Sequence, residues 1–188
     1  MSLEGTVAAV TGASAGAGEA AARAFAGQGA AVALGARRAD RLEVVARSIE
    51  DDGGRAVILP FDVGDERQAR AFVEHAYEHL GRLDVLVNAA GACAPGPLEG
   101  ADTEAWRRML RIEVLGVVYC CHAALPVMRA QGFGHIVNVV RPGNATALSA
   151  VVGFSEALRE EVAPLGVRVS AVPGDYVAAL ATAGAGVP

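Results

Sequence analysis

Apolar and polar positions alternate in blocks along this chain. Short apolar runs bounded by glycine or aspartate are followed by longer amphipathic stretches, and the alternation repeats from end to end. Val7-Ala8-Ala9-Val10 predicts a buried strand, and the alanine-rich stretch after Gly18 predicts a helix. Residues 31–35 form a second apolar strand; Asp40 followed by Glu43 reads as a variant of the capping box, opening a helix over 41–50 that Gly53-Gly54 ends. Ala56 to Leu59 is strand three. Asp65 caps a helix to about His79, and Gly81 stops it. Leu83 to Val87 is strand four, followed by a loop rich in proline and glycine over 91–101 and a long helix from Thr103 to Met128. Ile136 to Val140 is strand five, 147–162 a helix and Val167 to Val172 strand six, while the tail from Ala178 shows no period and is expected to be mobile.

Strands alternating with helices point to βαβ units. The expected architecture is α/β: a doubly wound parallel sheet of the Rossmann type, helices on both faces, in one domain over 1–188. Right-handed crossovers leave few topologies, and six strands fit the order 3-2-1-4-5-6. The ligand crevice then lies beyond the carboxyl ends of strands one and four, where the turns at 11–18 and 88–91 meet.

Composition narrows the class. At 188 residues, 53% hydrophobic and 20% charged, the chain can bury a substantial core and is not disordered. A net charge of −5 without a basic run argues against nucleic acid or an anionic membrane as the main partner. Met1-Ser2-Leu3-Glu4-Gly5 has no basic leader region, and no apolar run approaches the length of a membrane span, so a soluble cytoplasmic protein is expected. Three cysteines without C-x-x-C spacing indicate neither a disulfide framework nor a zinc site, and Cys120 and Cys121 read as small apolar residues of a mostly buried helix. His75 and His79, four apart with no third ligand nearby, read as a solvated helix face. All 16 basic residues are arginine.

The candidate chemistry sits at the strand ends. In Thr11-Gly12-Ala13-Ser14-Ala15-Gly16-Ala17-Gly18, the first glycine allows a tight turn off the strand. The second lets backbone N–H groups approach a pyrophosphate, and the third lets the helix lie close to the sheet. The helix N-terminus behind them supplies unpaired donors and the positive end of the macrodipole. After strand two, where a carboxylate usually takes the ribose hydroxyls, the chain reads Gly35-Ala36-Arg37-Arg38. Two guanidiniums before a helix N-terminus either meet a 2′-phosphate, favouring NADP(H) over NAD(H), or form a solvated loop neutralised by Asp40 and Glu43. Asp62 is placed to accept from an adenine amino group or to make a turn. Asn88 is placed to hold the central turn and touch the cofactor ribose, or is there only because asparagine suits a turn.

Taken together, Thr-Gly-x-x-x-Gly-x-Gly after strand one, Asp62-Val63, Asn88-Ala89-Ala90-Gly91 after strand four and Pro173-Gly174 after strand six resemble the classical short-chain dehydrogenase/reductase family, from about Glu4 to Val177. Arg37 and Arg38 resemble its NADP-preferring branch. The resemblance implies hydride transfer between the nicotinamide of NADP and a small carbonyl or alcohol. It also implies a cofactor-binding set of Gly12, Ser14, Ala15, Gly16, Ala17, Gly18, Arg37, Arg38, Asp62, Val63, Asn88, Ala90, Gly91, Pro173 and Gly174. It further implies a homodimer or homotetramer paired through the long helix and the helix after strand five.

The family's four catalytic residues have no counterpart. Glu113 stands at the asparagine position, Val140-Arg141 replaces the serine pair, and Tyr-x-x-x-Lys is absent from a chain without lysine. Length is lost around Arg141 to Ala145 and before Pro173-Gly174, and the substrate lid and seventh strand are missing. No catalytic residue is therefore named. An oxidoreductase whose catalytic loops this sequence does not carry is one reading; a catalytically inactive NADP-binding protein or scaffold is the alternative, and a plain α/β domain without nucleotide is the third.

Overall fold

The computed structural model describes residues 2–92, 96, 98–100, 102–141, 143–177 and 179. Cys93 and the expected mobile tail, apart from residue 179, lie outside the described residues. Six parallel strands lie in the order β3-β2-β1-β4-β5-β6: β1 (Val7–Thr11), β2 (Ala31–Ala36), β3 (Arg55–Pro60), β4 (Val85–Asn88), β5 (Gly134–Val140) and β6 (Val167–Pro173). The expected topology is the one observed.

The central strands are buried at every residue, Val7–Thr11 and Val85–Asn88 throughout, as a sheet covered on both faces requires. Ala8, Val10, Val85, Val87 and Val137 pack with Phe25 of α1 (Gly16–Gly27) and Leu42 and Val45 of α2 (Ala39–Asp51). Ala9, Leu86 and Ile136 pack on the opposite face with Phe72 of α3 (Glu66–Leu80). That face also takes Cys121 of α5 (Gly116–Gln131) and Val151 and Leu158 of α6 (Ala145–Val162).

Some boundaries differ from the sequence expectation for identifiable reasons. The helix expected over 41–50 starts at Ala39, with extended Arg38 as its N-cap and no side-chain cap; Asp40 lies inside the first turn, and Glu43 pairs with Arg47 at 3.6 Å. The capping-box assignment is therefore corrected. Strand four begins at Val85, because the Asp84 carboxylate turns back to accept the Val7 N–H at 2.7 Å and the Arg82 guanidinium at 2.6 Å. Asp65 does cap α3, accepting the Gln68 N–H at 3.0 Å, a bond that holds its carboxyl below the usual range, and Gly81 ends the helix at φ 82°.

The long helix expected over 103–128 is α4 (Thr103–Leu110), a π turn (Arg111–Leu115) and α5. A π turn inserts one residue into the hydrogen-bond ladder and re-aims its side chains; Ile112 and Glu113, both buried, lie on it. The continuous helix Thr103–Gln131 is long and apolar enough by composition to cross a membrane. That corrects the expectation that no apolar run approaches such a length; the apolar residues lie mostly after Glu113, and Glu104, Arg107, Arg108 and Arg111 interrupt the first part of the helix. Met109, Val117, Cys120, Cys121, Ala124 and Met128 along it are buried in the protein's own core.

Burial pushes the Cys120 thiol up to about 12 and raises that of Cys121 as well. Iodoacetamide at pH 8 is expected to leave both unmodified in the native chain and to label both in urea, read by peptide mapping. Because the folded value lies above the unfolded one of about 8.5, the neutral thiols contribute stability below that pH. The contribution is lost as pH rises toward about 12.

Candidate nucleotide cleft

At the carboxyl end of the sheet, where the strand order reverses between β1 and β4, a cavity of about 210 Å³ opens. Its floor and one wall come from the glycine turn. Gly12 takes φ +68°, and a Cβ there would stand 2.7 Å from the Ala89 carbonyl oxygen, so the two strand-end turns touch only because this residue has no side chain. A Cβ at Gly18 would collide with the Gly12 carbonyl, so its absence seats the first turn of α1 directly on the preceding loop. Gly16, at φ +58°, faces open space. Ala15 is the extended N-cap without a side-chain cap, so no side chain competes for the first-turn N–H groups.

The central turn is held by Thr11. Its buried hydroxyl accepts the N–H groups of both Ala89 (3.0 Å) and Ala90 (3.2 Å). Sequence reasoning gave that task to Asn88. The structure instead buries Asn88 beneath the cleft, where its amide donates to Asn138 Oδ1 at 2.9 Å; Asn138 donates in turn to Ser155 Oγ at 2.8 Å. Nothing in the tetrapeptide Asn88–Gly91 indicates which side chain faces inward, whereas a threonine closing a buried strand beside an adjacent turn is the signal that could have found Thr11.

On the β2 side, Arg37 and Arg38 line the cavity, and the Arg38 guanidinium donates to Ser14 Oγ at 3.1 Å. Among the described residues neither arginine forms an ion pair, so the alternative of neutralisation by Asp40 and Glu43 is not what the geometry displays. Asp62 and Val63 line the same wall. Asp62 Oδ1 accepts the Gly64 N–H at 3.0 Å, making the turn, and no hydrogen bond among the described residues takes Oδ2. Phe61 lies beneath, stacked on Phe72 at 4.4 Å, in room that Gly35 leaves by having no Cβ.

The structure thus brings Gly12, Ser14, Ala15, Arg37, Arg38, Asp62, Val63, Ala90 and Gly91 around one cavity. Gly16, Ala17 and Gly18 belong to the helix start behind it, and Gly174 packs on Ala17, a Cβ there standing 3.3 Å from that residue's. Pro173 ends β6. Ala36, Phe61, Ala89, Ile112 and Arg141 also line the cavity and were not foreseen.

Arg141 follows β5. Its Nη2 donates to the Ala89 carbonyl at 3.0 Å, and its guanidinium lies where a side chain on Gly91 would be. The buried Glu113 carboxylate stands 3.9 Å from Arg141 Nη1 and accepts the Ala92 N–H at 2.7 Å and the Asn144 amide at 2.9 Å. Asn144 also caps α6, accepting the Ala147 N–H at 3.3 Å. Glu113, Asn144 and Arg141 together tie the β5–α6 connection to the π turn and to the loop after β4.

Residues 6–184 match the family model described as short chain dehydrogenase. The chain is 40% identical over 181 residues to cis-4-hydroxycyclohexanecarboxylate dehydrogenase of Sinomonas cyclohexanicum, covering 90% of this chain and 72% of that one. It is 38% identical over 199 residues to an oxidoreductase of Methylorubrum extorquens, covering 98% and 78%. That matched span is longer than the 188-residue chain, so the relative carries residues inside it that this chain lacks. A metagenomic short-chain oxidoreductase solved in complex with NADP superposes with a TM-score of 0.90 at 31% identity, covering 97% of this chain and 91% of that one. With the strand order, the glycine turn and these matches in agreement, the chain belongs to the short-chain dehydrogenase/reductase family of oxidoreductases.

Proposed function

We propose that the chain binds NADP(H) in this cleft and is an NADP(H)-dependent oxidoreductase acting on a small carbonyl or alcohol, built as a single dinucleotide-binding domain. The observation that carries the cofactor assignment is the pair Arg37 and Arg38, beside Ser14 and without a carboxylate partner among the described residues. Two guanidiniums at the end of β2 suit a 2′-phosphate, where a 2′-hydroxyl would call for an acidic residue. The first-turn N–H groups of Gly16, Ala17 and Gly18 would hold the pyrophosphate, and Asp62 Oδ2 would accept from the adenine amino group. Gly12, Ser14, Ala15 and Val63 would shape the adenosine side, and Ala90, Gly91, Pro173 and Gly174 the far side, over a floor that Asn88 braces from below. Bound there, the cofactor supplies a hydride donor or acceptor.

No tyrosine lines the cavity, the chain has no lysine, and the carboxylate that does line it, Asp62, lies on the β2 side beside Arg37 and Arg38. The oxidoreductase reading therefore assigns the acid–base group to segments of the kind the Methylorubrum relative carries within the matched span. Inactive nucleotide binding is the second reading, favoured by Glu113, which occupies the asparagine position and is spent on Ala92, Asn144 and Arg141. Consumption of NADPH with a panel of small ketones and aldehydes separates the two.

The cofactor assignment itself is tested by thermal denaturation. NADPH at saturating concentration is expected to raise Tm by several degrees and NADH to leave it within about 1 °C, since a ligand that binds only the native state stabilises it by mass action. No shift with either nucleotide would end the assignment. Exposed or half-buried Leu115, Val118, Tyr119, Val152 and Phe154 on the π turn, α5 and α6 support a homodimer or homotetramer through those helices.

A further inference from the structure

The cleft has two halves of unequal room. A doubly wound sheet presents one mononucleotide-sized half on each side of the strand reversal, so a dinucleotide crosses from the β2–β1 side to the β4–β5 side. On the first side the wall is open: Ser14, Arg37, Arg38 and Asp62 border the cavity of about 210 Å³. Ligand cavities for molecules of drug size run from about 300 to 1,000 Å³, so the space present suits part of a dinucleotide. At the second side of the same cavity the Arg141 guanidinium lies over Gly91, bonded to the Ala89 carbonyl and facing Glu113. Beyond it, between Val139, Val140, Ala147 and Val151, only about 10 Å³ remains. One water molecule needs that much.

Arg141 is not casually placed. Gly91 admits it by lacking a side chain, and Glu113, itself 8% exposed, holds a carboxylate within ion-pair reach. The adenosine and 2′-phosphate groups of NADP(H) fit the residues present, and the nicotinamide ribose and ring do not.

Resting on the cofactor assignment above and on its second reading, nucleotide binding without turnover, we propose that the complete ligand of this cleft is the adenosine 2′,5′-bisphosphate half of NADP(H), and that Arg141 is the residue that bars the nicotinamide half. A 2′-phosphorylated adenine nucleotide is then bound as well as the whole dinucleotide, whose nicotinamide arm stays in solvent. Glu113 and Asn144 are positioning residues that hold Arg141 across the cleft.

Isothermal titration of the full chain with 2′,5′-ADP, NADPH and nicotinamide mononucleotide, together with NADPH fluorescence, tests this. The expected result is 2′,5′-ADP and NADPH affinities within about 3-fold of each other, no binding of nicotinamide mononucleotide, and an NADPH emission maximum unchanged from free cofactor. Arg141→Ala is expected to leave 2′,5′-ADP binding as it was, to tighten NADPH about 10-fold relative to it and to blue-shift the emission as the ring enters the protein. NADPH binding at least 10-fold tighter than 2′,5′-ADP in the unsubstituted chain would overturn the proposal while upholding the cofactor assignment. So would an unchanged affinity ratio in a folded Arg141→Ala variant, or in Arg141→Ser if the alanine variant does not fold. Failure of all three ligands to bind would remove both.

Discussion

Replacing Arg37 and Arg38 together by alanine is expected to weaken NADPH binding about 100-fold and to leave NADH binding within about 2-fold, measured by titration calorimetry at fixed salt. Each guanidinium is exposed and lies on the cleft wall, and Arg38 is already oriented by its bond to Ser14. A hydrogen bond to a charged group contributes about 1.5–3 kcal/mol, and two at the lower end amount to roughly 100-fold. The contribution is electrostatic, so the native preference for NADPH is expected to fall as salt rises and that of the double variant to be insensitive to it. Equal losses for NADPH and NADH would mean that the arginines shape the loop and do not read a phosphate.

The largest loss of stability is expected from Asp84→Ala, about 3 kcal/mol by denaturant unfolding. The Asp84 side chain is fully buried, accepting the Val7 N–H at 2.7 Å and two Arg82 nitrogens, at 2.7 Å from Nε and 2.6 Å from Nη2. Removing one partner of a buried pair costs about 3–5 kcal/mol, because the remaining groups lose their compensation. Arg82 is 46% exposed and can return to water, which puts the cost at the lower end. The orphaned Val7 N–H cannot, since it opens the central strand β1. Asp84→Asn, which keeps an acceptor for that N–H, is expected to lose about half as much. Equal losses for both variants would assign the stability to the charge pair and not to the strand.

Those two sites differ in how legible they were. Arg37 and Arg38 were readable because their position after a β2 run is local, and an absent carboxylate at a strand end is visible in the letters alone. Asp84 reads in sequence as a strand residue. Its job depends on Val7, 77 positions away, and nothing near Asp84 in the chain marks it. Glu113 and Arg141 stood out in the sequence only as departures from a motif. Their meaning, a brace across the cleft, emerged once Ala89, Ala92 and Asn144 were found beside them.

By itself the sequence determined the alternation of strands and helices, the parallel sheet with both faces covered, the strand order and the glycine turn. Those follow from short-range rules: a strand buried on both faces must be apolar at successive residues, and a turn with positive φ selects glycine. The tertiary structure alone decided that Thr11 and not Asn88 ties the central turn, that the long helix carries a π turn, and that Arg141 lies on Gly91. The hydrogen bonds of Thr11 and Arg141 join residues 52 to 79 positions apart, and a side chain's direction there is set by which neighbours leave room for it and which offer it a hydrogen bond. Local pattern carries no record of that room, because the space on Gly91 exists only after β4 and β5 have been laid side by side.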